Sequence, residues 1–157
     1  MNAVAPLSDI AYARESVAGV LDEITPLVEK HYREIAHYQD IPLDPDYGFY
    51  ADCEAKGCLR IFTARFQGEL VGYAIHVVHR SHKYRSSLQA TQDILFLRPD
   101  CRRGGVGYRL IQFADEALRS EGVQVVYQHM KAAHDFGPLL SRMGYELQDV
   151  IYSRRLD

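Results

Sequence analysis

The chain has 157 residues, of which 47% are hydrophobic and 25% are charged, and its formal net charge is −3. This composition is ordinary for a globular protein, and the length suits one domain over residues 1–157 with a substantial core. The small net charge gives no reason to expect a large anionic partner, so nucleic acid is not predicted as a partner.

Targeting and metal-binding signals are not found in the sequence. No apolar run approaches the roughly 20 residues that span a bilayer, and the N-terminus has neither the charged start nor the apolar core of a signal peptide. A membrane partner is therefore not expected. Three cysteines, Cys53, Cys58 and Cys101, are an odd number without the spacing of a metal site, so no metal is predicted. A reducing, cytoplasmic location is the default expectation.

The first part of the chain is predicted to be helical. Apolar side chains over residues 8–38 recur at helical spacing in two pieces, and the first piece has Ser8 or Asp9 as a candidate cap. Thr25 and Pro26 are typical of a second helix start, with Thr25 as the N-cap and proline at the first helical position. Two successive helices are therefore expected before residue 39.

The pattern then changes from helix to strand. Residues 47–56 are predicted as a short helix that Gly57 ends. Residues 59–66 and 70–78 alternate apolar and polar side chains around a glycine-containing turn, which predicts a β-hairpin. A polar, basic loop over residues 79–87 follows and leads to the next strand.

The second half of the chain alternates strands with helices. Residues 93–119 contain an apolar strand that ends at Leu97, a Pro-Asp turn, a basic glycine-rich loop and an amphipathic helix. A strand over residues 123–130, a short helix capped by Asp135 and a closing strand over residues 145–155 are predicted next. This order of elements predicts an α/β sandwich built on a mixed sheet.

The glycine-rich loop reads Arg102-Arg103-Gly104-Gly105-Val106-Gly107. Glycines let a backbone approach a ligand closely, and the first turn of a helix leaves N–H groups without partners. Together with the helix dipole and two arginines, these donors predict a site for a phosphate or pyrophosphate. A solvated tight turn is the plainer alternative, but such a turn needs neither three glycines in four residues nor two adjacent arginines.

Two familiar phosphate-binding motifs do not fit this loop. A P-loop ends in Gly-Lys-Ser/Thr, whereas Tyr108 and Arg109 follow the glycines here. A dinucleotide-binding fingerprint needs a third glycine where Leu110 stands. Binding of some other nucleotide is the weakest of the functional hypotheses for this loop.

The loop resembles motif A of the GNAT superfamily of N-acetyltransferases, which reads Arg or Gln, two residues, Gly, one residue, Gly or Ala. The lead-in 95–100 and the later segment 139–145 resemble the elements that flank this motif in the family. The resemblance extends from Leu59 to the C-terminus and implies a mixed, mostly antiparallel central sheet flanked by helices. More loosely, residues 31–46 resemble small acetyltransferases that tailed phages and prophages often encode.

The resemblance implies an acyltransferase that moves an acetyl group directly from acetyl-CoA, as co-substrate, to an amine acceptor in a ternary complex. The loop would then hold the pyrophosphate, the strand before it would bind the pantetheine arm, and the N–H of Leu97 would polarise the thioester carbonyl. The implied donor-binding residues are Leu95, Phe96, Leu97, Arg102, Arg103, Gly104, Gly105, Val106, Gly107 and Tyr108. A homodimer is a further expectation.

Three residues are predicted as candidates for the catalytic base. Asp93 lies nine residues before Arg102, where members of the family often carry an acidic residue. His76 and His129 are expected to flank the cleft from the neighbouring strands. The alternative for each is structural: a surface carboxylate, or a histidine that belongs to its strand.

The proton donor for the leaving thiolate is not assigned by the resemblance, because Leu140 stands where the family usually has a tyrosine. Tyr108, Tyr127, His134 and solvent are the remaining candidates. Weak or absent activity is the other explanation, so a coenzyme A-binding or interaction module is the alternative function. Acceptor specificity is expected from the N-terminal helices and from the loop 79–87.

Overall fold

The computed structural model describes residues 9–157 and contains a five-stranded sheet with helices on both faces. Its elements in chain order are β1 (Ile10–Glu15), α1 (Val17–Ile35), α2 (Tyr47–Ala55), β2 (Leu59–Phe66), β3 (Glu69–Arg80), β4 (Leu88–Leu97), α3 (Val106–Ser120), β5 (Val125–Tyr127) and α4 (Gly137–Arg142). A single 3₁₀ turn, Pro99–Cys101, joins β4 to the loop before α3. The predicted α/β fold with a mixed, mostly antiparallel sheet is confirmed.

The strands lie in the sheet in the order β1-β2-β3-β4-β5. The first three pairings are antiparallel, whereas β4 and β5 are parallel. The parallel pairing is short: it covers Gln89 to Thr91 on β4 and Val125 to Tyr127 on β5. Beyond these residues the two strands separate, and we call the space between them the strand split.

Side chains of alternate strand positions build one core on each face of the sheet, as the pleat requires. On one face Ile61 and Tyr73 pack with Val20 of α1. On the other face Phe62 packs with residues of α3, among them Leu110. Because helices cover both faces, the strand split is placed between two packed layers.

The prediction of a helix at the start of the chain is wrong for Ile10–Glu15, which is an edge strand. All six of its residues pair with β2, from Ile10 opposite Phe66 to Glu15 opposite Ile61. An ion pair supports this long-range pairing, since Arg65 Nε donates to Glu15 Oε1 at 2.7 Å. Tertiary pairing therefore overrides the local helical spacing. Ser8, a predicted cap, lies outside the described residues.

Thr25 and Pro26 do not begin a second helix, because α1 runs through them without interruption. The helix starts instead at Ser16, whose Oγ accepts a hydrogen bond from the N–H of Gly19 at 3.2 Å. Proline removes one backbone hydrogen bond from a helix interior. Ile24 and Leu27 are both buried, so the apolar face of α1 continues across the proline and packing offsets that loss.

The predictions for residues 47–78 are confirmed, and those for the C-terminal part are wrong in two places. The predicted strand 123–130 is reduced to Val125–Tyr127. The predicted closing strand 145–155 has no regular secondary structure. The N-cap of α4 is Phe136, one residue after the predicted Asp135, and Asp135 accepts a hydrogen bond from the N–H of Gly137 at 2.7 Å.

Candidate functional site

A β-bulge lies in β4 at the start of the strand split. The register between β3 and β4 shifts between Gln92 and Ile94, so Asp93 is the extra residue. Ile94 packs into the core beneath α1 and α2, and Asp93 Oδ2 accepts a hydrogen bond from the hydroxyl of Tyr50 on α2 at 2.7 Å. The bulge thus puts two consecutive side chains on the same face of the sheet and leaves Asp93 exposed there.

The side chain of Gln92 joins the two strands where they diverge. It is only 4% exposed, and its Oε1 accepts a hydrogen bond from the backbone N–H of His129 at 2.8 Å. The last direct pairing, between Thr91 and Tyr127, is one residue earlier on β4. The strand split therefore opens beyond Gln92, with Asp93 on one side and the exposed His129 on the other.

Beyond the bulge, part of the β4 backbone faces the strand split. Arg98 N–H donates to the carbonyl of Val71 at 2.8 Å, and hydrogen bonds to one neighbour alternate along an antiparallel strand. The N–H groups of Leu95 and Leu97 therefore point away from β3, toward the side from which β5 has diverged. Glycine is needed at position 72, opposite Leu97, because a Cβ there would lie 2.9 Å from the backbone oxygen of Phe96.

The glycine-rich loop presents backbone donors at the start of α3. Gly104 and Gly105 have φ angles of +62° and +74°, which favour glycine. Neither N–H group has an acceptor within residues 9–157. Arg109 of α3 donates to the carbonyl of Gly104 at 2.7 Å and so holds the loop against the first turns of the helix. Free N–H groups at a helix N-terminus are suited to an anionic group.

The two arginines of the loop have different partners. Arg103 donates to the carbonyl of Asp100 at 3.2 Å and forms no ion pair with any described residue. Arg102 Nε donates to the carbonyl of Leu97 at 2.7 Å, and its guanidinium is bound through two nitrogens by Glu34 of α1. This hydrogen-bonded pair holds the pKa of Glu34 below its ordinary value. The arginine thus links the loop to both β4 and α1.

Side chains from α1 and from the segment before α4 close around the end of β4. The ring of His31 lies 5.2 Å from the ring of Phe96, which is 2% exposed. Burial lowers the pKa of His31. His134 Nε2 lies 2.7 Å from the carbonyl oxygen of Glu34. Phe96 therefore contributes packing beneath α1, and its side chain does not face the strand split.

The remaining residues of the predicted donor site lie in the first turn of α3. Val106 is fully buried, and its carbonyl accepts a hydrogen bond from the hydroxyl of Tyr12 at 3.3 Å. A Cβ on Gly107 would lie 3.6 Å from Leu97 Cδ2, which is ordinary contact. Tyr108 is 40% exposed. These contacts place the end of β4 beside the first turn of α3. Val106 is buried and fixes the start of that helix in the core.

His76 does not flank the strand split, contrary to the sequence prediction. It is 1% exposed and packs on the α3 side of the sheet, where its ring makes an edge-to-face contact with Phe62 at 5.7 Å. Neither ring nitrogen has a hydrogen-bond partner among the described residues. Burial lowers the pKa of His76 to about 4. A base must reach the proton that it accepts, so His76 is a core histidine.

His76 is expected to make the stability of the fold depend on pH. The unfolded chain binds a proton at this ring below about pH 6.5, whereas the folded ring stays neutral down to about pH 4. The stabilisation that comes from keeping this ring neutral is fully present above pH 6.5. The free energy of unfolding should fall by about 3 kcal/mol as the pH drops from 6.5 to 4. Urea unfolding at several pH values measures the change.

The matched variants for this measurement are His76→Leu and His82→Leu. His82 is exposed, so its replacement should leave the pH dependence of unfolding unchanged. His76→Leu should reduce the slope between pH 6.5 and 4. Equal slopes in the wild type and in His76→Leu would show that the buried ring is not the source.

The candidates for a proton donor are spread around the strand split. Tyr127 is half-buried at the end of β5, Tyr108 is exposed on α3, and His134 contacts α1. Leu140 lies half-buried in α4. Tyr145, which follows α4, donates to Asp115 at 2.6 Å and is thereby engaged. The structure does not bring Tyr108 and Tyr127 into one hydrogen-bonded group with Asp93.

The two elements predicted to bind the acceptor each have a defined polar contact. Tyr32 at the end of α1 donates to the carbonyl of Ile41 and closes the turn after the helix. In the basic segment before β4, His79 Nε2 lies 3.3 Å from Thr91 Oγ1, at the last paired position before the strand split.

Four residues of the site were missed by sequence reasoning as partners: Tyr50, Gln92, Glu34 and Arg109. Tyr50 acts on Asp93 across 43 residues of sequence. The others act across 37, 68 and 5 residues of sequence, respectively. Only the contact between Arg109 and Gly104 joins residues close enough in the sequence for local reasoning to predict it.

Over residues 9–157 there is no helix of the length and apolar character needed to cross a membrane. No group of three or more His, Cys, Asp or Glu side chains in this part of the chain could hold a metal ion. The three cysteines are free.

A mixed sheet whose parallel strands separate beside a bulge, with a glycine-rich loop and free N–H groups at the next helix start, defines a GNAT-type fold. The chain matches the model of the acetyltransferase (GNAT) family over residues 22–137, which is more than half of its length. It therefore belongs to this family. A search of curated protein sequences gave no significant match.

Solved structures support the same fold. An aminoglycoside acetyltransferase from an uncultured soil metagenomic sample, in complex with sisomicin, is 17% identical with a TM-score of 0.73 and covers 95% of this chain and 97% of its own. A GCN5-related N-acetyltransferase from Ralstonia eutropha JMP134 is 15% identical with a TM-score of 0.76, at 94% and 99% coverage. A predicted acetyltransferase with acetyl-CoA from Clostridium acetobutylicum is 10% identical with a TM-score of 0.70, at 94% and 96% coverage. At these identities the likeness concerns the fold alone.

Proposed function

We propose that the protein is an acetyl-CoA-dependent N-acetyltransferase that moves the acetyl group directly to a primary amine of a small molecule or a protein. The family supports acetyl transfer. The observation that carries the choice of donor is the set of open backbone N–H groups, from Leu95 and Leu97 on β4 to Gly104 and Gly105 in the loop. A ligand with an extended amide-containing arm and a pyrophosphate matches this arrangement.

Each part of this backbone has a role in the proposal. Acetyl-CoA supplies an activated thioester. The N–H of Leu97 donates to the developing negative charge on the carbonyl oxygen, and preorganised donors of this kind stabilise a transition state. Leu95 binds the pantetheine arm. Gly104, Gly105, Arg102 and Arg103 bind the pyrophosphate, where charge-assisted hydrogen bonds are strong. Arg103 forms no ion pair with a described residue, whereas Arg102 is paired with Glu34.

Asp93 is the proposed base. It is exposed at the bulge, and Tyr50 holds its Oδ2 and so fixes the orientation of the carboxylate. Burial and the hydrogen bond to Asp93 raise the pKa of Tyr50, so the tyrosine remains a donor over the working pH range. Asp93 then accepts the proton of the amine, directly or through water. His129, on the other side of the strand split, is the second candidate.

Glu34 is expected to compete with the donor for Arg102. Glu34→Gln should tighten acetyl-CoA binding by about two- to fivefold, because an exposed ion pair contributes up to about 1 kcal/mol and its loss frees the guanidinium. Isothermal titration calorimetry measures the dissociation constant. Glu29→Gln is the control, since Glu29 pairs with Arg33 on the exposed side of the same helix.

Glu29→Gln should bind acetyl-CoA as the wild type does. Weaker binding by Glu34→Gln, or the same gain in both variants, would show that the pair between Glu34 and Arg102 does not oppose the donor.

Two measurements test the proposed function. Thermal unfolding with acetyl-CoA, free CoA, ATP or NAD should show stabilisation by the two coenzyme A species. Stabilisation by ATP or NAD alone would favour the nucleotide-binding alternative. Release of free thiol from acetyl-CoA, measured over a panel of amines, should then identify acceptors.

A coenzyme A-binding module without turnover is the second candidate, and Leu140 in place of the usual tyrosine favours it. Binding of acetyl-CoA with no thiol release for any amine would support that candidate. The homodimer, the cytoplasmic location, the single domain over residues 1–157 and the kinship with phage-encoded acetyltransferases remain predictions from the sequence.

A further inference from the structure

A small apolar cavity lies between α1, α2 and the sheet, and its volume is about 40 Å³. Its floor crosses three strands, because Ile75 of β3 pairs with Ile61 of β2 on one side and with Ile94 of β4 on the other. Ile24 and Val28 of α1 form part of the opposite wall. Among residues 9–157, no charged side chain lines this cavity. It therefore suits an apolar group of a ligand.

The cavity adjoins Asp93 through two residues. Ile94, on the floor, directly follows Asp93, and the bulge places both side chains on the same face of the sheet. Tyr50 lines the cavity, and its hydroxyl donates to Asp93 Oδ2 at 2.7 Å. A carboxylate therefore stands beside an uncharged, mostly aliphatic space. This arrangement is complementary to a cation that carries an apolar chain.

The volume of the cavity limits the size of that chain. One water-sized group needs roughly 10–15 Å³ of such space. A cavity of about 40 Å³ therefore holds about three methylene or methyl groups. An aromatic ring would fit only if α1 or α2 moved. A second ammonium group on the chain would find no carboxylate in the cavity, and burial of an unpaired charge is costly.

We propose that the acceptor is a primary alkylamine, whose ammonium group binds at Asp93 and whose short aliphatic chain enters this cavity. An acceptor of this class presupposes the proposed acetyl transfer. The ammonium group loses one proton through Asp93, and the neutral nitrogen then bonds to the acetyl carbon as the carbon–sulfur bond of the thioester breaks. A second nitrogen proton is lost as the coenzyme A thiolate takes one up, so the products are an N-alkylacetamide and the free thiol.

A series of n-alkylamines from methylamine to hexylamine tests the acceptor class by thiol release from acetyl-CoA. Each methylene that enters the cavity should raise kcat/KM about fourfold. The rise should cover about three methylenes and then stop, because the cavity is full. A kcat/KM that does not depend on chain length overturns the proposal.

Diaminobutane, with an amino group at each end, is the matched control for n-pentylamine. The two molecules have the same length, but an ammonium group replaces the terminal methyl. Diaminobutane should react about 50-fold less well, because its second charge keeps the chain out of the cavity. Equal values of kcat/KM for the two amines, or a preference for diaminobutane, contradicts an apolar acceptor site.

Val28→Phe tests whether the chain lies in this cavity. Val28 is half-buried and lines the cavity, so a phenyl group at this position would fill the space. The roughly 50-fold preference for n-pentylamine over ethylamine should be lost. Thr25→Phe is the control, because threonine has the shape of valine and Thr25 is exposed on the same helix. It should keep the preference of the wild type. Loss of the preference in both folded variants, or in neither, overturns the placement, with circular dichroism as the check on folding.

Methyl NMR of the wild-type chain tests binding without turnover. With the isoleucine δ1 methyl groups labelled, n-pentylamine should shift the signals of Ile61, Ile75 and Ile94, with or without free CoA. The signal of Ile111, which is buried on α3, should not move.

The two readouts separate the acceptor class from the proposed function. Shifts of the three cavity signals without thiol release would support the cavity as an alkylamine site and contradict acetyl transfer. Thiol release with other amines and no shift by n-pentylamine would overturn the acceptor class and leave the proposed function in place. Equal shifts at Ile111 and at the cavity would also overturn it, because the amine would not be bound at one place.

Discussion

Gly105→Glu should abolish measurable binding of acetyl-CoA. Gly105 is the N-cap of α3, and its φ of +74° is strained for any residue with a side chain. A glutamate would also put a negative charge among the N–H groups and arginines that are proposed to bind the pyrophosphate. Loss of two or more charge-assisted hydrogen bonds should raise the dissociation constant at least about 100-fold. Isothermal titration calorimetry measures this, with circular dichroism as the check on folding.

The structure supplies a matched control in Gly57→Glu. Gly57 has the same φ of +74°, and a Cβ there has nothing within 4 Å. Both variants therefore carry the same backbone strain and the same added charge, but only one carries them in the loop. Gly57→Glu should lose a similar amount of stability and should bind acetyl-CoA as the wild type does. Retained binding by Gly105→Glu would contradict the proposed pyrophosphate site.

The parts of the site that sequence reasoning found are those with local chemistry. The loop could be predicted because glycine conformation, orphan N–H groups and a helix start are properties of consecutive residues. The hairpin before it has a period of two that any strand pair must satisfy. The central strand and α3 follow from the same kind of short-range pattern. The family resemblance rests on these segments, which is why the fold could be predicted.

The parts that were missed depend on long-range contacts. β1 is a strand because β2 is available to pair with it, and its own sequence is compatible with a helix. Pro26 is tolerated inside α1 because Ile24 and Leu27 are buried against the sheet. Histidine is a residue type that often acts in catalysis. Only the packing of α3 on this face of the sheet shows that His76 belongs to the core. The pairs Tyr50–Asp93 and Arg102–Glu34 join residues 43 and 68 positions apart.

The C-terminal tail, residues 146–157, is a different case. Its residues have the pattern of a strand, but a strand forms only where an edge and a core face are available. Within one copy the tail is held at its end by Tyr38 and Asp40 and has no pairing.

Asp93→Asn should lower kcat about 100-fold and leave the dissociation constant of acetyl-CoA unchanged. Asparagine keeps the size of the side chain and can still accept a hydrogen bond from Tyr50, but it cannot take a proton at neutral pH. General base catalysis contributes about 100- to 10,000-fold. Steady-state kinetics with a saturating amine measures kcat. Asp52→Asn is the control, because Asp52 is an exposed carboxylate on α2, the helix that carries Tyr50.

The pH dependence distinguishes a base from a positioning residue. An amine that is already neutral needs no base, so the deficit of Asp93→Asn should shrink as the pH rises toward the pKa of the acceptor. Tyr50→Phe should lower kcat less, since it leaves the carboxylate in place and removes only its orientation. A deficit of equal size at every pH would assign Asp93 to positioning of the acceptor. An unchanged kcat would remove it from the reaction and leave His129, across the strand split, as the base.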